Sequence, residues 1–143
     1  MEHFRPVASV VVSRGEGRKK EFLLVKKPRS RHAWQFPQGG VATEESHSTA
    51  AEREFHEECG SAAHITLVSR APIGEYKYRF PAEFQKQHPG FAGAHVLFFP
   101  AEWQDGTIEI DGQEIVESRW CNAEEIRILV EPVYWRVVKS FVS

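Results

Sequence analysis

Between Trp34 and Gly60 the chain reads WQFPQGGVATEESHSTAAEREFHEECG, and no other stretch narrows the possible folds as much. Glu54, Glu57 and Glu58 stand at i, i+3 and i+4, so a helix here carries three acids on one small patch of surface. Ala51 and Phe55, also at i, i+4, offer that helix an apolar strip with which to lie on a sheet. The helix start is expected between Ser46 and Thr49, with Thr49 and Glu52 at capping-box spacing, and Gly60 is placed to end it. Like charges at helical spacing cost roughly 0.2–0.5 kcal/mol per pair, and only Arg53, four residues before Glu57, intersperses a cation. A solvated acidic face is one reading. A hard divalent cation that takes oxygen ligands and cancels the repulsion is the other, and Mg²⁺ in particular is usually held by a few carboxylates together with substrate phosphates.

The spacing G-x5-E-x7-R-E-U-x-E-E-x-G-U, with U a bulky apolar residue, resembles the Nudix box in register. Gly39, Glu45, Arg53, Glu54, Phe55, Glu57, Glu58 and Gly60 match it. Ser61 departs from it where the last apolar residue belongs, which touches packing after the helix and not the acids. The resemblance implies an α/β fold, a Nudix-type α/β/α sandwich around a mixed β-sheet, in one domain spanning residues 1–143. It also implies hydrolysis of a phosphoanhydride in a nucleoside diphosphate linked to another moiety. By the same resemblance Glu54, Glu57 and Glu58 are expected to hold Mg²⁺, with Mn²⁺ as a substitute, and the Gln38 or Gly39 carbonyl to join them. Glu45 and Arg53 are expected to hold the loop-helix-loop in shape.

A chain of 143 residues suits one domain with a proper core. Its formal charge of −2 supplies no global basic field, so a polyphosphate or RNA has to be attracted by a local patch. Lys26-Lys27-Pro28-Arg29-Ser30-Arg31-His32 is such a patch; it serves solubility or, lying directly before the acids, phosphate contacts. Cys59 and Cys121 are too few for a disulfide framework and lack zinc spacing, which suggests a reducing compartment. No run reaches the roughly 20 apolar residues that span a bilayer, and the N-terminus has no secretory pattern. A cytoplasmic location is therefore expected, or a mitochondrial one if a presequence has been removed.

In chain order, Val7–Val12 is a β-branched run expected to be buried on both faces, and Glu21–Val25 the returning strand. Strands are also expected at His64–Val68, Gly74–Phe80, Gly93–Phe99 and Ile115–Trp120, with a turn at Asp105-Gly106. Alternation in Gly74–Phe80 places Tyr76, Tyr78 and Phe80 on one face and Lys77 and Arg79 on the other. Those rings serve as a core side of the strand or, for Tyr76 and Tyr78, as a platform for a base, worth roughly 1–3 kcal/mol without reading its identity. Residues 81–92 form a long loop beside the site, a candidate lid. From Glu131 a helix is expected, with Pro132 in its first turn and Tyr134, Val137, Val138 and Phe141 as a core stripe.

Two finer resemblances divide the chain. Phe4-Arg5-Pro6 and Trp34–Gly40 look like bacterial RNA pyrophosphohydrolases and their diadenosine-polyphosphate relatives. Arg5 and Lys27 then become phosphate contacts, and Glu114, six residues before Trp120 in an E-x5-W ending, the expected general base, with Glu117 as a weaker alternative. The implied substrates are RNA 5′-triphosphate ends or Ap4A-like dinucleotides. Gly74–Pro81, Gly93–Phe99 and the ending Lys139–Ser143 resemble the Nudix-like protein of the mitochondrial large ribosomal subunit instead. That likeness carries the alternative of a non-catalytic scaffold in an RNA-protein assembly, although the box acids here are all present.

Overall fold

In the computed structural model, which describes residues 2–143, everything is built outward from β1 (Phe4–Arg14). Each residue from Val7 to Val12 is buried, and alternation along the strand sends Val7 and Val11 to one apolar cluster and Ala8, Val10 and Val12 to another. A strand covered on both faces needs a layer on each side. β1 runs parallel to β7 (Gly93–Gly106) and antiparallel to β2 (Glu21–Lys26) and β4 (Gln38–Gly40). Around these, β2 takes β3 (Trp34–Gln35) and β8 (Glu117–Cys121), while β7 takes β5 (Ala63–Leu67) and β6 (Gly74–Arg79), which completes one mixed sheet of eight strands.

On one face lies α1 (His47–Cys59), which buries Ala50, Ala51, Phe55 and Cys59 against Val10, Val12 and Phe99. On the other lie α3 (Ala123–Leu129) and α4 (Pro132–Val138), through Ile126 and Val138 packed with Val7, Val11 and Phe98. A single turn, α2 (Ala82–Gln85), sits in the connection between β6 and β7. The result is the expected α/β/α sandwich. No helix among the described residues is long and apolar enough to cross a membrane.

Several boundaries differ from the sequence expectation, each for a physical reason. Ser46 caps α1 by accepting the Thr49 amide at 3.2 Å, so the Thr49/Glu52 pair lies inside the helix and forms no box. Gly60, with φ of 94°, ends α1 as expected, its amide donating to the His56 carbonyl. β7 continues to Gly106 in place of turning at Asp105, because β1 and β5 supply partners along its second half. Ile115 and Val116 precede β8 in a turn stapled by Asp111, whose carboxylate accepts the amides of Gln113, Glu114 and Ile115. Helix α3 was absent from the sequence expectation although its signal is strong: Asn122 and Glu125 form a full reciprocal capping box.

Candidate active site

Arg53 is the hub of the α1 acids. Its guanidinium donates twice to the Glu45 carboxylate, at 2.8 and 2.9 Å, once each to Glu54 and Glu57, at 2.8 and 3.0 Å, and once to the Gly40 carbonyl, at 2.9 Å. Five donors in a planar fork suit this task as no lysine could. The bond to Arg53 and the Ala42 amide hold the Glu45 carboxyl at about 2, while Glu45 in turn raises the Arg53 guanidinium. Glu45 and Arg53 thus tie the loop around β4 to the helix.

Glu58 is the acid that the fold encloses, at 5% exposure. One carboxylate oxygen accepts the Gln38 amide and the other the Lys27 ammonium, both at 3.1 Å. Burial outweighs these donors and pushes the carboxyl up to about 6. Glu54 is also raised, first by burial and against the pull of Arg53. Its carboxyl lies over Gly39 so closely that a Cβ there would stand 2.0 Å from it. Only glycine leaves room for an acid above the loop.

One cleft of about 570 Å³ gathers most of the expected site. Glu54, Glu58, Gly39 and Glu114 line it together with Arg5, Lys27, Tyr76 and Tyr78. Glu114 reaches it from the turn that Asp111 staples, whereas Glu117 faces solvent on β8, opposite Lys26. Tyr76 and Tyr78 are neighbours on β6 with ring centroids 4.9 Å apart and planes at 31°. Both are half-buried on the face opposite Lys77 and Arg79, as alternation requires, so they serve core and cleft at once. Glu57 stands apart: its side chain is 57% exposed, bound to Arg53 and outside the cleft lining.

Among the described residues no three His, Cys, Asp or Glu side chains converge as a ready metal cage. The cations explain why, since Arg53 draws Glu54 and Glu57 one way and Lys27 draws Glu58 another. The donor set nonetheless fits a hard divalent cation. Two mostly buried carboxylates whose ionisation burial opposes, over a glycine whose missing Cβ makes room for one of them, are oxygen donors that a divalent charge would relieve. The cysteines do not compete for this role, because both are buried and burial pushes their thiols up to about 12 for Cys59 and about 11 for Cys121.

Residues 3–141 match the family described as "NUDIX domain". The chain belongs to that family. It is 29% identical to an RNA pyrophosphohydrolase of Teredinibacter turnerae over 98% of this chain and 86% of that protein. It is 33% identical to an RNA pyrophosphohydrolase of Erythrobacter litoralis over 78% of this chain and 74% of that protein. Among solved structures, a C. elegans Ap4A hydrolase in a binary complex superimposes with a TM-score of 0.68 at 22% identity, over 94% of both chains. At that identity the likeness is one of fold.

Sequence reasoning missed some of the lining of this Nudix cleft. Tyr134, read as part of a core stripe, lines it from α4, and Arg29, Phe84 and His88 line it as well. The signal for Tyr134 was available, since a tyrosine in a buried stripe needs a partner for its hydroxyl where phenylalanine does not. Arg29 belongs to the basic loop before the box, and Phe84 and His88 to the 81–92 segment expected beside the site, so both segments were legible there although these side chains were not singled out.

Proposed function

We propose that this Nudix chain hydrolyses a phosphoanhydride in a nucleoside-diphosphate-linked substrate, either an RNA 5′-triphosphate end or an Ap4A-like dinucleoside polyphosphate. The observation that carries the reading is the single cleft in which acids, cations and stacked aromatics meet. Each set matches one part of a nucleoside polyphosphate: oxygen donors for a cation, cations for phosphates, rings for a base. The names of the curated relatives support the RNA end, over most of their length.

In this reading Glu54, Glu58 and the Gly39 carbonyl would hold Mg²⁺ or Mn²⁺, with Glu57 as a further carboxylate that Arg53 would have to release. A bound divalent cation supplies Lewis acidity towards the phosphate oxygens and the attacking water. Glu114 accepts the proton of that water as it attacks phosphorus. The bridging P–O bond breaks, and its electron pair leaves with the departing phosphate. The Arg5 side chain makes no hydrogen bond or ion pair among the described residues, and Lys27 uses one of its three donors on Glu58, so both have capacity for phosphate oxygens. Tyr76 and Tyr78 take the base.

The test measures phosphate and nucleotide release from 5′-triphosphorylated RNA and from Ap4A, with Mg²⁺, with EDTA and with Glu58→Gln. Release that needs the cation and falls with the substitution supports the hydrolase, and the better substrate names the branch. No release from either, with no effect of Mg²⁺ on thermal stability, removes this reading in favour of the scaffold in an RNA-protein assembly.

A further inference from the structure

Tyr134 joins the two halves of the cleft. Its hydroxyl accepts the Phe36 amide at 3.1 Å across 98 residues of chain. Its ring packs on Phe36, Tyr76 and Phe98 at centroid distances of 6.2, 6.4 and 6.3 Å. Three rings and the Phe36 amide hold the side chain, and the residue lines the cleft together with Glu58 and Tyr76. A phenol carries one donor and an acceptor oxygen. The Phe36 amide uses the oxygen, and among the described residues nothing accepts the proton.

The loop that Tyr134 touches is tied down without it. The Pro37 carbonyl accepts both the buried Ser9 hydroxyl at 3.1 Å and the Val10 amide at 3.0 Å, and the Gln38 amide is held by Glu58. Tethering explains an acceptor at Tyr134, and packing explains a ring. Neither gives its proton a use. Burial also raises this phenol well above its ordinary range, so it remains a donor at any working pH.

We infer that Tyr134 is a substrate-orienting residue whose O–H, with its oxygen fixed by the Phe36 amide, donates to a phosphate oxygen of the bound nucleoside polyphosphate. The inference rests on the hydrolase reading above. It adds a contact from α4 between the base platform and the acids, which makes the distance between base and scissile phosphate something the cleft can measure.

The test compares wild type with Tyr134→Phe in steady-state kinetics on whichever substrate is cleaved. It also compares their equilibrium binding of a methylene-bridged ADP analogue and of adenosine. The expected result is KM and the analogue Kd both raised about tenfold, as for a lost hydrogen bond to a charged group. The same result includes kcat within about threefold and adenosine binding unchanged. Replacing Tyr134 by O-methyltyrosine keeps the oxygen for Phe36 and exchanges the proton for a methyl group; it should weaken the analogue as phenylalanine does while leaving adenosine binding unchanged, and it serves if the phenylalanine variant does not fold. Unchanged analogue affinity overturns the inference, and so does equal weakening of analogue and adenosine, which a merely structural role would give. Wild type that neither cleaves the substrates nor binds the analogue overturns the hydrolase reading and this inference with it.

Discussion

The two walls of the cleft are built in opposite ways. The acidic wall comes from one contiguous stretch: Glu54 and Glu58 line it from one helix, and behind them Arg53 ties Glu45, Glu54, Glu57 and the Gly40 carbonyl together. The rest of the lining is assembled from Arg5 on β1, Tyr76 and Tyr78 on β6, and Tyr134 on α4, brought together by strand pairing and core packing. The first wall is suited to chemistry that many substrates share, a charge on a phosphate oxygen. The second is suited to choosing among them, since it can vary piece by piece without touching the acids. If the walls differ in this way, damage to the first should appear in turnover and damage to the second in KM.

The largest effect is expected from Glu58→Gln, which removes a charge from the most enclosed carboxylate while keeping its shape. Turnover with saturating Mg²⁺ should fall about 100-fold or more, several kcal/mol of lost transition-state stabilisation. A fall confined to KM would break the contrast between the walls. Next comes Arg53→Ala, which frees Glu45, Glu54 and Glu57 at once. Partial exposure weakens each pair, so a loss of about 2 kcal/mol in urea unfolding is expected, together with a rise in the Mg²⁺ concentration for half-maximal rate. An unchanged Mg²⁺ requirement would show that the acids are positioned without the hub. Smaller still is Tyr78→Phe against Tyr78→Ala. The ring is stacked on Tyr76, so phenylalanine should be neutral, whereas alanine should raise KM about tenfold at near-constant kcat, within the roughly 1–3 kcal/mol of a base-aromatic stack. A tenfold loss in kcat from alanine would place Tyr78 with the chemistry.

The same contrast governs what could be read from the chain. Box spacing turns directly into a helix face and the loop before it, so Glu54, Glu58 and Gly39 were legible as residues of one cleft, as was the two-faced burial of Val7–Val12. Glu57 shares the spacing but not the burial, because a 3.6-residue period gives the side of a helix and not what covers it. Helix α3 was carried by a local signal, Asn122 with Glu125, that was passed over. Tyr134 and Arg29 are different: each sat in a stretch that was singled out, a buried stripe and a basic loop, but only the folded sheet shows that these two side chains reach the cleft. Lys27 lies between the cases: its place before the box suggested phosphate, and only the fold shows its ammonium on Glu58 at 3.1 Å.

The smallest expected effect lies within the acidic wall, where two carboxylates have opposite linkage to pH. Glu45 is held at about 2 by Arg53, below its ordinary 4.5. It therefore contributes stability that is present above pH 4.5 and is lost as pH falls through about 2. Glu58 is pushed to about 6, chiefly by burial, so the fold favours its protonated form. That contribution is complete below pH 4.5 and is lost as pH rises through about 6. In EDTA, melting temperature should accordingly gain from Glu45 as pH climbs from 2 to 4.5 and lose from Glu58 between 4.5 and 6. Glu58→Gln should shrink the second limb to what Glu54 contributes, and Glu45→Gln should shrink the first, which Glu2, Asp111 and Glu124 share. Mg²⁺ binds the ionised carboxylate, so saturating cation should also flatten or reverse the limb that belongs to Glu58. A limb between pH 4.5 and 6 that Glu58→Gln and Mg²⁺ leave undiminished belongs to another group such as Glu54, and enclosure of Glu58 then has no part in how these acids receive their cation.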